Sequence, residues 1–257
     1  MPKKSLGQNF LRDDNIARKI VDSLEIVPQD IILEIGPGFG KLTKFILDKT
    51  HHYIGVELDN RLALHLENQF GNRDGFTLIH DDFLKLDLSQ FTATGSVLKI
   101  VGNIPYHITS PIIFRAIQQR RVLHSMTLML QKEVAKRVVS THKTKLYGIL
   151  SVMSQAFSVP ELLFPVSRHV FYPKPKIESA VVCWKFINRI DYGIDDEASF
   201  IRMVKSIFNQ RRKVLRNSLK QYCPENKIRS LEAHFVQSRP EELSVAELVA
   251  LWKKLNE

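Results

Sequence analysis

The sequence predicts an α/β fold, a doubly wound and mostly parallel sheet followed by a small all-helical part. Three observations carry that expectation. Short apolar runs of strand character alternate with segments of helical spacing as far as residue 187. The first strand runs straight into a glycine-rich turn and a helix, the junction on which nucleotide-binding sheets are built. After a polar break at 188–197 only helical spacing continues. A larger domain over residues 1–187 and a small helical domain over 188–257 are expected.

Taken in order, Ser5-Leu6-Gly7-Gln8-Asn9-Phe10-Leu11 has no clean period and reads as an arm that either plugs the core or covers a ligand. From Asp14, the spacing of Ile16, Ile20, Val21 and Leu24 predicts a helix to about Glu25. Ile31–Ile35 reads as a buried strand, and Gly36-Pro37-Gly38-Phe39-Gly40 follows before a helix with Leu42, Phe45 and Ile46 inward. Glycines at alternate positions let the backbone pass close to a ligand. The second strand, Tyr53–Val56, ends in Glu57, placed to accept hydrogen bonds from two ribose hydroxyls. A helix over Arg61–Phe70 leads to a third strand, Thr77–His80, ending in Asp81-Asp82-Phe83, where Asp82 can accept from an adenine amino group while the Phe83 ring packs on the base.

The fourth strand, Val97–Val101, delivers Gly102-Asn103-Ile104-Pro105-Tyr106, a polar clamp with an aromatic lid suited to a flat ring carrying an amine. A helix over Thr109–Gln119, a fifth strand over Met126–Leu130 and a helix over Leu146–Phe157 follow, then a loop at Phe164–Lys176 rich in proline and basic residues, and a closing strand at Ala180–Phe186. The helical remainder is apolar at Phe200, Val204, Ile207, Phe208, Leu215, Leu248, Leu251 and Trp252.

Composition narrows the partners. Hydrophobic content of 44% and charged content of 25% are those of a soluble globular protein. No run approaches the ~18 apolar residues of a membrane span, and Met1–Ser5 lacks the apolar core of a signal peptide, so a cytoplasmic protein without a membrane partner is expected. Cys183 and Cys223 match no metal-ligand spacing, which argues against zinc and against a disulfide framework. The net charge of +10 favours a polyanion. Eight Lys or Arg against one Glu lie between Arg115 and Lys145, and seven basic residues without an acid lie between Arg202 and Lys220. A helix is not merely solvated by so many charges of one sign without acidic partners, so nucleic acid is the expected partner.

In a doubly wound sheet the carboxyl ends of the strands share one crevice. Glycine loop, ribose acid, adenine-contacting acid and Asn103-Ile104-Pro105-Tyr106 stand there in that order. A ribose and an adenine are implied, and neither a Gly-Lys-Ser/Thr phosphate loop nor the dinucleotide glycine spacing is present. S-adenosylmethionine has the ribose and the adenine and no phosphate.

The segments Glu34–Thr43, Gly7–Leu11, Asn103–Tyr106, Gln131–Ala135, Phe171–Ser179 and Phe208–Lys213 together resemble the rRNA adenine N6,N6-dimethyltransferases over nearly the whole chain, and most closely the bacterial small-subunit branch. The resemblance implies a Rossmann-like class I methyltransferase fold with a seven-stranded sheet. It implies S-adenosylmethionine as methyl donor and two adjacent adenosines in the 3′-terminal hairpin loop of small-subunit rRNA, in a pre-ribosomal small subunit, as substrate. A monomer is expected. Cofactor contacts would come from Asn9, Leu11, Gly36, Gly38, Glu57, Asp82 and Asn103. Ile104 stands where Leu is common, a change that conserves volume.

The expected chemistry is amine activation without a strong base. The Asn103 side-chain oxygen and the Pro105 carbonyl would accept from the target amine, and Tyr106 and Phe171 would sandwich the extruded base. Lys174, Lys176, Arg211, Arg212 and Lys213 would bind RNA. Three other readings share much of this pattern: a large-subunit rRNA adenine dimethyltransferase of the antibiotic-resistance type, a DNA adenine methyltransferase, and a non-catalytic assembly factor that keeps the fold.

Overall fold

Strands buried on both faces read as near-continuous apolar runs, and Ile31–Ile35 is such a run interrupted only by Glu34: Ile32 and Leu33 are fully buried. The computed structural model describes residues 8–92, 97–187 and 189–256, so the arm through Gly7 and the expected boundary residue Asn188 lie outside the described residues. Contacts divide the chain into two units, Met1–Ala135 with Val159–Asn188, and Lys136–Ser158 with Arg189–Glu257. The single cut at 187/188 expected from the polar break therefore misses a segment, 136–158, that groups with the C-terminal helices.

The first unit contains β1 (Phe10–Leu11), α1 (Asp14–Asp22), β2 (Ile31–Ile35), α2 (Thr43–Ile46), β3 (Tyr53–Val56), α3 (Asn60–Phe70) and β4 (Phe76–Ile79). It continues with β5 (Leu98–Asn103), α4 (Thr109–Gln118) and β6 (Leu123–Gln131), and α5 (Lys132–Val138) spans the first division between the units. The strands β7 (Val159–Val166), β8 (Phe171–Tyr172) and β9 (Ser179–Lys185) complete it.

Among the described residues, seven strands form one sheet in the order β4-β3-β2-β5-β6-β9-β7. The first five pair in parallel, whereas β9 runs antiparallel to β6 and β7 antiparallel to β9. The fold is the expected Rossmann-like one. Register sets the site. Ile35 lies opposite both Val56 and Gly102, and Val56 lies opposite Ile79. The residues that follow each of these strand ends consequently emerge at one edge. Because β9 is reversed, its first residue, Ser179, opposite Gln131, reaches that same edge.

Several elements depart from the expectation for identifiable reasons. Helix α1 begins where expected, with the Asp13 carboxylate accepting the Ile16 N–H at 2.9 Å, but stops at Asp22 because Glu25 takes a left-handed φ of 48°. Strand β7 occupies a stretch left unassigned after the expected helix, together with the first residues of the expected loop; Pro160 and Pro165 hid it. Proline cannot donate to a ladder and is tolerated at a sheet edge, which is where β7 lies. In β5, the charged Lys99 is buried against Asp30 at 2.8 Å and donates to the carbonyls of Leu24 and Glu25, so its burial is compensated.

The second unit comprises α6 (Ile149–Phe157), α7 (Glu197–Asn209), α8 (Leu215–Ser218), α9 (Glu225–Arg229), α10 (Ala233–Gln237) and α11 (Val245–Asn256). Its core explains the grouping of 136–158 with these helices. Phe200 is fully buried between Phe157 of α6 and Trp252 of α11, edge-on to each with centroids 6.2 and 6.0 Å away. The Trp252 indole N–H donates to Ser199 Oγ at 3.1 Å. Among the described residues no helix is long and apolar enough to cross a membrane.

Candidate active site

The glycine loop supplies the floor. Gly36 has φ 62° and open space where a Cβ would stand, so backbone conformation and ligand room both call for glycine there. Gly40 serves another purpose: with φ 73°, its missing side chain admits the Phe70 ring of α3. The Gly38 N–H donates to the Glu57 carboxylate at 3.1 Å, and the Asp59 N–H donates to its other oxygen at 2.9 Å. Glu57, 6% exposed, is thus aimed by two backbone donors, yet burial outweighs them and raises its pKa above the ordinary value.

Beneath the loop is Glu34, 2% exposed, whose Oε2 accepts from the Thr43 hydroxyl at 2.7 Å and the Tyr53 hydroxyl at 2.9 Å. Burial pushes its carboxyl up to about 7, against the two hydroxyl donors, with nearby Glu57 adding a smaller upward push. At the end of β4, Asp82 accepts the Leu84 N–H at 3.0 Å and caps the short turn Phe83–Lys85, placing the buried Phe83 ring beside it.

Two adjoining cavities share Gln8, Gly36, Glu57 and Pro105. One is lined by Asn9, Leu11, Glu34, Gly38, Asn103 and Tyr106, the other by Asp82, Phe83, His107, Ile108 and Ile112. Every cofactor residue expected from the sequence therefore lies on this crevice. Asn103 is the last residue of β5 rather than part of the loop after it. Its Nδ2 donates to the Asn9 carbonyl at 3.0 Å, which commits the amino end of the amide to the arm and leaves Oδ1 as the end that can accept. The Pro105 carbonyl accepts the Ile108 N–H at 3.2 Å, so one of its two lone pairs is used. Ile104 is buried and packs.

Tyr106 is half-buried, and its hydroxyl hydrogen-bonds Ser179 Oγ at 2.8 Å. Burial, set against that hydrogen bond, raises the phenol above its ordinary pKa, so it stays neutral. Phe171 lies elsewhere. It is 5% exposed, lies opposite Leu11 in the β1–β8 ladder, belongs to the apolar core and lines neither cavity.

The expected RNA contacts divide as well. Lys174 and Lys176 are exposed in the first unit, and Arg212 and Lys213 in the second. Arg211 is engaged: its guanidinium donates to the carbonyls of Lys145 at 2.8 Å and Thr144 at 3.2 Å and stands 3.6 Å from Glu241. It anchors the 141–148 loop within its own unit. Sequence reasoning passed over Gln8, Glu34, Ile108, Ile112 and Ser179 as site residues. Gln8, Glu34 and Ser179 sit inside the quoted motifs, whereas nothing in the sequence marks Ile108 and Ile112 as cavity lining.

The family model described as "Ribosomal RNA adenine dimethylase" matches residues 2–256. A ribosomal RNA small subunit methyltransferase A of Chlorobium phaeobacteroides is 44% identical over 253 residues, 98% of this chain and 91% of that protein. One of the same name from Flavobacterium johnsoniae is 42% identical over 254 residues, covering 98% and 95%. Among solved structures, a dimethyladenosine transferase from Plasmodium falciparum superposes with a TM-score of 0.79 at 22% identity, over 96% of this chain and 97% of that one. The 23S rRNA methyltransferase ErmE does so with 0.70 at 24%, over 96% and 100%. At such identities these two establish the fold.

Proposed function

The chain belongs to the ribosomal RNA adenine dimethylase family, and from that premise we propose that it dimethylates the exocyclic amines of two adjacent adenosines in the 3′-terminal hairpin loop of small-subunit rRNA. The substrate would be met in a pre-ribosomal small subunit, in the cytoplasm, by a monomeric enzyme. The observation that carries the reading is Asn103, held at the strand end level with the glycine loop and Glu57, its amide oriented by the Asn9 carbonyl.

The crevice fits S-adenosylmethionine on its own terms. Open space beside Gly36 admits a ligand against bare backbone, Glu57 offers an aimed acceptor for ribose hydroxyls, and Asp82 beside Phe83 offers an acceptor and an apolar wall for adenine. When bound, the cofactor supplies an electrophilic methyl on a sulfonium. The protein's own residues do the rest.

An adenine amine is a poor nucleophile because its lone pair is delocalised into the ring. Acceptance of its N–H bonds by Asn103 Oδ1 and the remaining lone pair of the Pro105 carbonyl pulls the nitrogen toward tetrahedral geometry. Those bonds strengthen as the nitrogen becomes cationic, so they favour the transition state. Positioning contributes roughly 7–11 kcal/mol in favourable cases. No group in the clamp needs to act as a strong base, since the proton can pass to water after transfer. In the second round the monomethylated amine keeps one N–H, and one of the two bonds is given up.

The extruded base stacks on Tyr106, whose ring is steadied through Ser179. The expected partner face, Phe171, is packed in the core, and its assigned role is to support the arm from below. Lys174 and Lys176 draw in the RNA backbone near the clamp, and Arg212 and Lys213 do so on the helical unit. Methyl incorporation into small and large ribosomal subunits lacking the modification tests the reading. N6,N6-dimethyladenosine in small-subunit rRNA is the expected product; incorporation only into large subunits would assign the chain to the antibiotic-resistance branch, and none into either would leave a non-catalytic factor.

A further inference from the structure

The N-terminal arm and the proline-rich loop are joined backbone to backbone. Phe10 lies opposite Tyr172 and Leu11 opposite Phe171, and the Arg12 N–H donates to the Val170 carbonyl at 2.8 Å. The same arm carries the Asn9 carbonyl that holds Asn103. Side chains alternate along this short ladder, so while Leu11 and Phe171 go into the core, Tyr172 is left 56% exposed. The Arg12 guanidinium stands over the Tyr172 ring, 5.1 Å from its centroid, within cation–π range. Among the described residues no carboxylate pairs with Arg12, and Lys174 and Lys176 follow the ring, both exposed.

A single exposed tyrosine is ordinary. A tyrosine fixed by a ladder, topped by an uncommitted guanidinium, flanked by lysines and tied through one arm residue to the reacting Asn103 is a different object. Such a ring is pre-organised, so little entropy is lost when a flat partner lands on it. Phosphates on either side of that partner would meet the cations.

We propose that Tyr172 and Arg12 form a stacking platform for the nucleotide next to the flipped adenine, in single-stranded RNA. The inference rests on the RNA-adenine reading of the site and extends it to a second base. With two adjacent adenosines as substrate, the occupant is the neighbouring purine, and the platform sets which nucleotide is offered to Asn103.

The test uses the full chain, small ribosomal subunits lacking the modification, and calorimetric binding of S-adenosylmethionine in parallel. Stacking of one base on an aromatic side chain corresponds to about a 5- to 150-fold effect on affinity. Tyr172→Ala and Arg12→Gln are expected to raise KM for subunits within that range, leaving kcat at saturation and cofactor affinity unchanged. Tyr172→Trp and Tyr172→Phe are expected to restore KM. Wild-type KM in Tyr172→Ala, failure of both aromatic replacements, a fall in kcat alone, or a parallel loss of cofactor binding would each overturn the platform while leaving the methyltransferase reading intact. If the wild-type protein methylates no subunit, the reading itself fails and the platform falls with it.

Discussion

Replacing Glu34 by Gln probes the buried carboxyl beneath the glycine loop. Glu34 is 2% exposed, and burial moves its pKa from the ordinary 4.5 to about 7. For an acid raised in the folded state, the folded chain holds the extra proton between those two values. Stability is therefore undiminished below about 4.5 and falls as pH rises through about 7. At 1.36 kcal/mol for each pH unit, the full displacement corresponds to about 3 kcal/mol. Glutamine keeps an oxygen for the Thr43 and Tyr53 hydroxyls and does not ionise. Urea unfolding of the ligand-free protein and of Glu34→Gln should therefore show the wild type losing about 2.5 kcal/mol relative to the variant between pH 5 and pH 8. Parallel pH profiles would refute the assignment of a perturbed carboxyl to this position. The same proton bears on function: a cationic cofactor favours the ionised carboxylate, so its binding should tighten more steeply across the same window in the wild type than in the variant.

Ser179→Ala frees the Tyr106 hydroxyl and should lower kcat/KM for RNA by about 2- to 13-fold, the value of one hydrogen bond; Tyr106→Phe should cost the same, and the double variant no more. Gly36→Ala should abolish cofactor binding and cost about 1–2 kcal/mol of stability through its left-handed φ of 62°, although its Cβ meets nothing within 4 Å, whereas Gly40→Ala should keep the loop's ligand space and destabilise the fold further through the Phe70 ring; calorimetry and thermal melts separate the two. Arg211→Ala should destabilise the helical unit by about 1–3 kcal/mol in denaturant, since two carbonyls lose a charged donor. Arg212→Ala with Lys213→Ala should instead leave stability unchanged and reduce the salt slope of RNA binding by about 2.

Much of this was legible in the chain because local chemistry and tertiary placement coincide. The glycine loop, Glu57 and Asp82 follow strands whose apolar runs announce themselves, Asn103 ends another, and a parallel sheet forces these ends to one edge. Legibility failed where the deciding contact is distant in sequence. Nothing near Phe171 says that it is paired with Leu11 and taken into the core while Tyr172 stays out. A basic run does not distinguish Arg211, spent on the carbonyls of residues 144 and 145, from its exposed neighbours Arg212 and Lys213. Prolines disguised β7 because their penalty vanishes only at an edge, and edges are a property of the whole sheet.

The central claim is that Asn103, oriented by the arm, activates the target amine. Methyl transfer to unmodified small subunits by Asn103→Ala, measured beside cofactor binding in the same preparation, tests it most directly. Loss of an acceptor that acts chiefly in the transition state should lower kcat by about 10²-fold or more, with cofactor binding retained at least in part. Near-normal turnover by Asn103→Ala would contradict it.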